Sequence, residues 1–140
     1  METIKSKINE TFFLSNCDVL VEADYYDILE YHKQNGNIIT MVTSLKYYQI
    51  PYGVIKLNDG GEVIGTEEKP EFDYLVNTGF YILEPECIND IPENQFFHIT
   101  DLINKYLKEG KKVGTYPISE NSWLDMGEIK EMDRMIERLG

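Results

Sequence analysis

Basic residues are scarce in this sequence. Its 140 residues hold 13 Lys and Arg against 25 Asp and Glu, a net charge of −12. A nucleic-acid groove needs clustered cations, so that class is excluded. An anionic membrane surface is disfavoured for the same reason. Long apolar runs are missing as well, none approaching the roughly 18 residues of a membrane span. The opening Met1-Glu2-Thr3-Ile4-Lys5 contains no apolar signal region. Cysteine is limited to Cys17 and Cys87. Two distant cysteines imply a reducing compartment rather than a disulfide framework, and the cytoplasm is the expected location. Neither His32 nor His98 has a metal-ligand neighbour at helical spacing, which argues against zinc.

What is present suits one globular domain. Hydrophobic residues make up 42% of the chain, an ordinary share. Phe12 to Cys17 reads as a buried strand that ends at a polar turn holding Asp18. Ligands of open α/β sheets bind outside the carboxyl ends of strands. A carboxylate there either caps the turn or holds something. Residues 3–10 form a short polar helix or a frayed end. Asp24 is an N-cap for a helix over 25–35, with Tyr25, Ile28, Leu29 and His32 on one stripe and Gly36 as its stop. Ile38 to Leu45 is β-branched and predicts a second strand. Strand, helix and strand in this spacing form a βαβ unit, so the two strands run parallel.

The middle of the chain predicts a hairpin. Tyr52 to Leu57 alternates, Asn58-Asp59-Gly60-Gly61 turns, and Glu62 to Glu68 returns. Pro70 biases Lys69 towards an extended backbone. A strand over 75–83, a helix over 99–109, a strand over 112–118, a loop over 123–127 and a helix over 128–139 complete the reading. In the last helix Ile129, Met132, Ile136 and Leu139 face one way.

Four local patterns then fall in order: Phe-Leu-Ser-Asn-Cys-Asp (13–18), Tyr-Gly-Val-Ile (52–55) with Glu-Lys-Pro (68–70), Asn-Thr-Gly-Phe-Tyr (77–81), and Trp-Leu-Asp-Met-Gly (123–127). Taken singly, each has a plain reading. Glu68-Lys69-Pro70 ends a strand, Gly53 relieves one, Gly79 serves close packing and Trp123 packs. In these spacings they closely resemble the second half of the sugar-phosphate nucleotidylyltransferases, over nearly the whole chain. Glucose-1-phosphate thymidylyl- and mannose-1-phosphate guanylyltransferases belong to that family.

The resemblance implies a Rossmann-like α/β fold of the nucleotide-diphospho-sugar transferase type, truncated, its mixed sheet carrying a β-hairpin insertion. It implies that Asp18 and Asp125 are ligands of a magnesium ion. Gly53 would lay its backbone against the sugar, Glu68 would take sugar hydroxyls and Lys69 the sugar phosphate. Asn77, Thr78 and Gly79 would line the sugar pocket. The family's reaction joins a sugar 1-phosphate to a nucleoside triphosphate and releases pyrophosphate, a transfer that depends on positioning and charge neutralisation.

Two departures stand beside the likeness. Glu128 replaces the family's usual threonine, and the family's opening glycine-rich loop, which cradles the triphosphate, has no counterpart in these residues. The expectation is an acceptor half with little activity alone. The alternatives are a non-catalytic sugar-phosphate-binding or assembly module, and one half of a split enzyme. Removing the nucleotide half bares an apolar strand edge, so a homo-oligomer is expected, or an edge at 12–17 covered by residues 3–10.

Overall fold

The computed structural model describes residues 9–92, 95 and 97–139, the side chains of 128–132, 135 and 139 aside. The expected helix over 3–10 lies almost entirely outside the described residues, as do the side chains of Ile129, Met132 and Leu139. In chain order the elements are β1 (Phe12–Ser15), β2 (Val19–Val21), α1 (Tyr25–Asn35), β3 (Ile39–Gln49), β4 (Val54–Leu57), β5 (Val63–Glu67) and β6 (Glu71–Leu83). There follow a 3-10 turn (Pro85–Asp90), α2 (Ile99–Lys108), β7 (Val113–Ile118), a 3-10 turn (Glu120–Ser122), β8 (Trp123–Asp125) and α3 (Met126–Leu139).

The main sheet has the order β1-β6-β3-β7. β6 runs antiparallel to β1 and β3, and β7 parallel to β3. β1 and β3 therefore share a direction, as a βαβ unit requires, but β6 separates them. β1 is also not the buried strand expected over 12–17. Phe13 and Leu14 are 41% and 36% exposed, and β6 is the partner strand found for β1 among the described residues.

Side chains alternate across the sheet and feed two cores. Ile39, Tyr81 and Leu83 pack towards α2 with Cys87, Leu102, Ile103 and Tyr106. Val42, Phe80 and Ile82 pack towards α1 and β2 with Val21 and Ile28. Helices on both faces make this a three-layer α/β arrangement. Asp24 caps α1 as its sequence predicts, accepting from the amides of Tyr26 and Asp27 at 3.0 and 3.3 Å. No helix among the described residues is long and apolar enough to cross a membrane.

His32, on α1, is fully buried. Asn37 donates its amide to Thr40 Oγ1 at 3.0 Å, and Thr40 Oγ1 lies 2.6 Å from His32 Nδ1. The Thr40 hydroxyl thus joins the Asn37 amide to the imidazole. On the other side of the ring, His32 Nε2 faces Glu84 Oε1 at 3.4 Å.

Past the end of β7, β3 and β6 continue alone as a two-stranded ribbon, paired from Leu45↔Leu75 to Gln49↔Glu71. Tyr47, Tyr48 and Tyr74 are all more than half exposed along it. The β4–β5 hairpin hangs from its far end, where the Ile50 amide donates to the Pro70 carbonyl at 3.1 Å.

Candidate functional site

Asp18 and Asp125 meet through a pairing that the sequence did not suggest. β2 and β8 form a small antiparallel sheet with Val19 opposite Asp125. The expected loop over 123–127 is therefore a strand followed at once by a helix. The Met126 amide donates to the Asp18 carbonyl at 2.8 Å, tying the Asp18 turn to the start of α3. Gly127 then donates its amide to Asp125 Oδ1 at 3.0 Å, which fixes that carboxylate.

A Cβ at Gly127 would lie 3.1 Å from Asp18 Oδ2 and 3.2 Å from Asp125 Oδ1. An oxygen of each carboxylate therefore lies beside the same bare face of Gly127, a space that a side chain there would crowd. Two oxygens converging on such a space suit a magnesium ion, which typically takes one or two carboxylates and completes its shell with water and substrate phosphate. Among the described residues no group of three or more His, Cys, Asp or Glu side chains could hold a metal by itself. The candidate site is therefore this pair alone.

The 77–79 segment lies directly beneath the Asp18 turn. Val42 pairs with Phe80 and Thr43 with Asn77, so Thr78 and Gly79 are extra residues in a bulge of β6. Bulges re-aim groups next to sites. Thr78 is buried and its hydroxyl donates to the Val42 carbonyl at 2.7 Å, so its side chain is turned into the fold. Gly79 has φ of +88°, a conformation that glycine accepts readily. Its carbonyl accepts the Asn16 amide at 3.0 Å, and a Cβ on it would sit 2.6 Å from Asn16 Nδ2. Asn77 is spent locally: its Oδ1 accepts the Gly79 amide at 2.9 Å and its Nδ2 donates to the Tyr81 hydroxyl at 2.6 Å. Asn16 and Tyr81 are parts of this site that sequence reasoning left unassigned, although both stand inside quoted patterns.

Gly53 and Glu68 form the second group. A Cβ on Gly53 would lie 3.3 Å from Glu68 Oε2, so the carboxylate rests against the Gly53 backbone. Lys69 contradicts its expected extended backbone. Its φ is +42°, and it is the one non-glycine with positive φ among the described residues. The steric bias imposed by Pro70 is overridden by the turn that carries β5 into β6. Such strained conformations cost about 1–3 kcal/mol and concentrate at functional sites. The contacts that place this group belong to the hairpin, and those that place the aspartates belong to β2, β8 and the bulge.

The nucleotidyl transferase family model matches residues 2–139. The chain is 29% identical over 131 residues to UTP–glucose-1-phosphate uridylyltransferase of Synechocystis sp., covering 88% of this chain and 33% of that protein. It is 34% identical over 134 residues to mannose-1-phosphate guanyltransferase 2 of Candida glabrata, covering 93% of this chain and 37% of that protein. The chain thus spans about a third of the length of the curated relatives it matches. Its backbone is similar to that of HddC from Yersinia pseudotuberculosis, with a TM-score of 0.62 at 19% identity, over 99% of this chain and 60% of that one.

Proposed function

Since this chain belongs to the nucleotidyl transferase family and has the nucleotide-diphospho-sugar transferase fold, we propose that it is the acceptor half of a sugar 1-phosphate nucleotidylyltransferase. The reaction served is nucleoside triphosphate plus sugar 1-phosphate giving a nucleotide sugar and pyrophosphate. The observation that carries this reading is the convergence of Asp18 and Asp125 on the space above Gly127.

Each residue has a role that its chemistry supports. Asp18 and Asp125 hold the cation, whose charge, when bound, would offset that of the phosphates. Glu68, resting on the Gly53 backbone, accepts hydrogen bonds from sugar hydroxyls. Lys69 offers a compact ammonium to the sugar phosphate. Gly79 lines the sugar pocket through its backbone. Asn77 and Thr78 contribute backbone there, since their side chains are engaged elsewhere.

One observation favours a second reading, a sugar-phosphate-binding or assembly module that works without chemistry of its own or completes a separate nucleotide half. The glycine pair Gly60-Gly61 offers no phosphate cradle. The Gly60 amide donates to Asn58 Oδ1 at 2.9 Å and the Gly61 amide to the Asn58 carbonyl at 3.1 Å. On either reading the 140 residues alone have little activity, their location is the cytoplasm, and β1 offers the edge that no strand among the described residues covers to a second copy or to the nucleotide half.

The test is Mn2+ titration of the 15N-labelled chain. Selective broadening of the Asp18, Asp125 and Gly127 amide signals, absent in Asp18→Asn, is expected. Uniform broadening, or the same pattern in Asp18→Asn, overturns the cation site. A pyrophosphate-release assay runs beside it with glucose 1-phosphate or mannose 1-phosphate. Robust release by the chain alone overturns the half-site reading.

A further inference from the structure

Resting on that reading of the aspartate pair, we propose that Tyr81 and Asn77 are positioning residues, and that they set the height of the turn carrying Asp18. The contacts form a continuous series. The Tyr81 hydroxyl accepts Asn77 Nδ2 at 2.6 Å, and Asn77 Oδ1 accepts the Gly79 amide at 2.9 Å. The orientation of the Asn77 amide is not arbitrary. A backbone N–H can only donate, so the oxygen of the Asn77 side chain must face Gly79 and its nitrogen must face the phenol.

From Gly79 the series passes to the turn. The Gly79 carbonyl accepts the Asn16 amide at 3.0 Å, and the Asn16 side chain lies against the bare Gly79 α-carbon. Two residues on, the Asp18 carbonyl accepts the Met126 amide at 2.8 Å. The turn is therefore gripped from the bulge at one end and from the start of α3 at the other.

The grip needs Tyr81 because the bulge has no ladder of its own. Thr78 and Gly79 have no partner on β3, where Val42 and Thr43 are consecutive. Thr78 anchors one side of the bulge through the Val42 carbonyl. The Asn77 amide anchors the other, and its freedom to rotate is limited by the Tyr81 phenol. Tyr81 is itself held in the core and is 2% exposed. A fixed phenol orients an amide, the amide fixes a glycine, and the glycine sets the turn. Groups hydrogen-bonded directly to metal ligands typically change metal affinity by about 10- to 100-fold when removed, and a series that reaches Asp18 through the turn backbone belongs at the low end of that range.

The experiment is a Mn2+ titration of the full chain followed by the electron paramagnetic resonance signal of free Mn2+, well below the thermal midpoint of each variant. Tyr81→Phe keeps the ring in the core and removes only the hydroxyl. It is expected to weaken Mn2+ binding about tenfold with little change in thermal midpoint. Asn77→Leu is expected to weaken binding at least as much. Asn77→Asp can still accept from Gly79 and now accepts from the Tyr81 hydroxyl, so it is expected to retain binding. If Tyr81→Phe and Asn77→Leu both bind Mn2+ like the wild type while Asp18→Asn does not, the positioning role is wrong and the cation site stands. If Asp18→Asn also binds like the wild type, the cation site falls and takes the positioning role with it.

Discussion

Asp18 and Asp125 are separated by most of the chain, yet an oxygen of each lies within 3.2 Å of the point where a Gly127 Cβ would sit. Alanine at 127 tests what that space is for. Residue 127 is in the first turn of α3 with no positive φ, and alanine suits a helix better than glycine by up to about 1 kcal/mol. The methyl would also crowd both carboxylate oxygens, so Gly127→Ala is expected to stay folded by circular dichroism and to weaken Mn2+ binding about tenfold. Unaltered Mn2+ affinity in a folded variant would show that the space holds nothing.

Lys69 gives the opposite kind of test. Its left-handed backbone suits glycine. Lys69→Gly is expected to stabilise the chain by about 0.5–1 kcal/mol, part of the strain typical of such positions. The same change removes the ammonium, so calorimetric binding of glucose 1-phosphate is expected to weaken sharply. A variant that is less stable and binds the sugar phosphate as before would remove Lys69 from the site.

His32 makes stability depend on pH. Burial holds its pKa below the ordinary 6.5, with the Glu84 carboxylate pulling the other way and Lys33 adding to the depression. Below pH 6.5 the unfolded chain takes up a proton that the folded chain refuses, so stability falls as pH drops. Urea midpoints measured from neutral pH to about 5.5 should decline, and His32→Gln should flatten that decline. Asp90, held below the usual carboxylate range chiefly by the Tyr106 hydroxyl, acts in the same direction only at more acidic pH. A wild-type midpoint that rises on acidification would contradict the assignment of a neutral buried imidazole.

β1 presents an edge with Phe13 and Leu14 partly exposed, and such edges pair or are covered. Light scattering at high protein concentration should show association, and Leu14→Lys should reduce it. A wild-type chain that stays monomeric at high concentration would rule out pairing through this edge.

The legible parts of this fold are those with strong local signals. Asp24 and Gly36 bracket α1 because a cap side chain and a left-handed stop act within a few residues. The Asn58-Asp59-Gly60-Gly61 turn and the strands beside it were readable for the same reason. What escaped was settled at long range. β2 and β8 have three residues each, too few for any periodicity, and become strands only by pairing with each other. The insertion of β6 between β1 and β3 is a matter of topology that βαβ spacing does not encode. Lys69 escaped because a turn overrode the preference that its neighbouring proline imposes. Of the site, the residue types were visible in four short patterns, but the engagement of Asn77 and Thr78 in the bulge was not.

The Gly53–Glu68 contact lies in the β4–β5 hairpin, beyond the end of β7, whereas the contacts around Gly127 come from Asp18 and Asp125. Under the roles proposed for Glu68 and Lys69, an exchanged residue at either position would alter which sugar is taken without touching the hydrogen bond from Gly127 to Asp125. As proposed, sugar preference and cation holding are then open to separate change, because different side chains carry them.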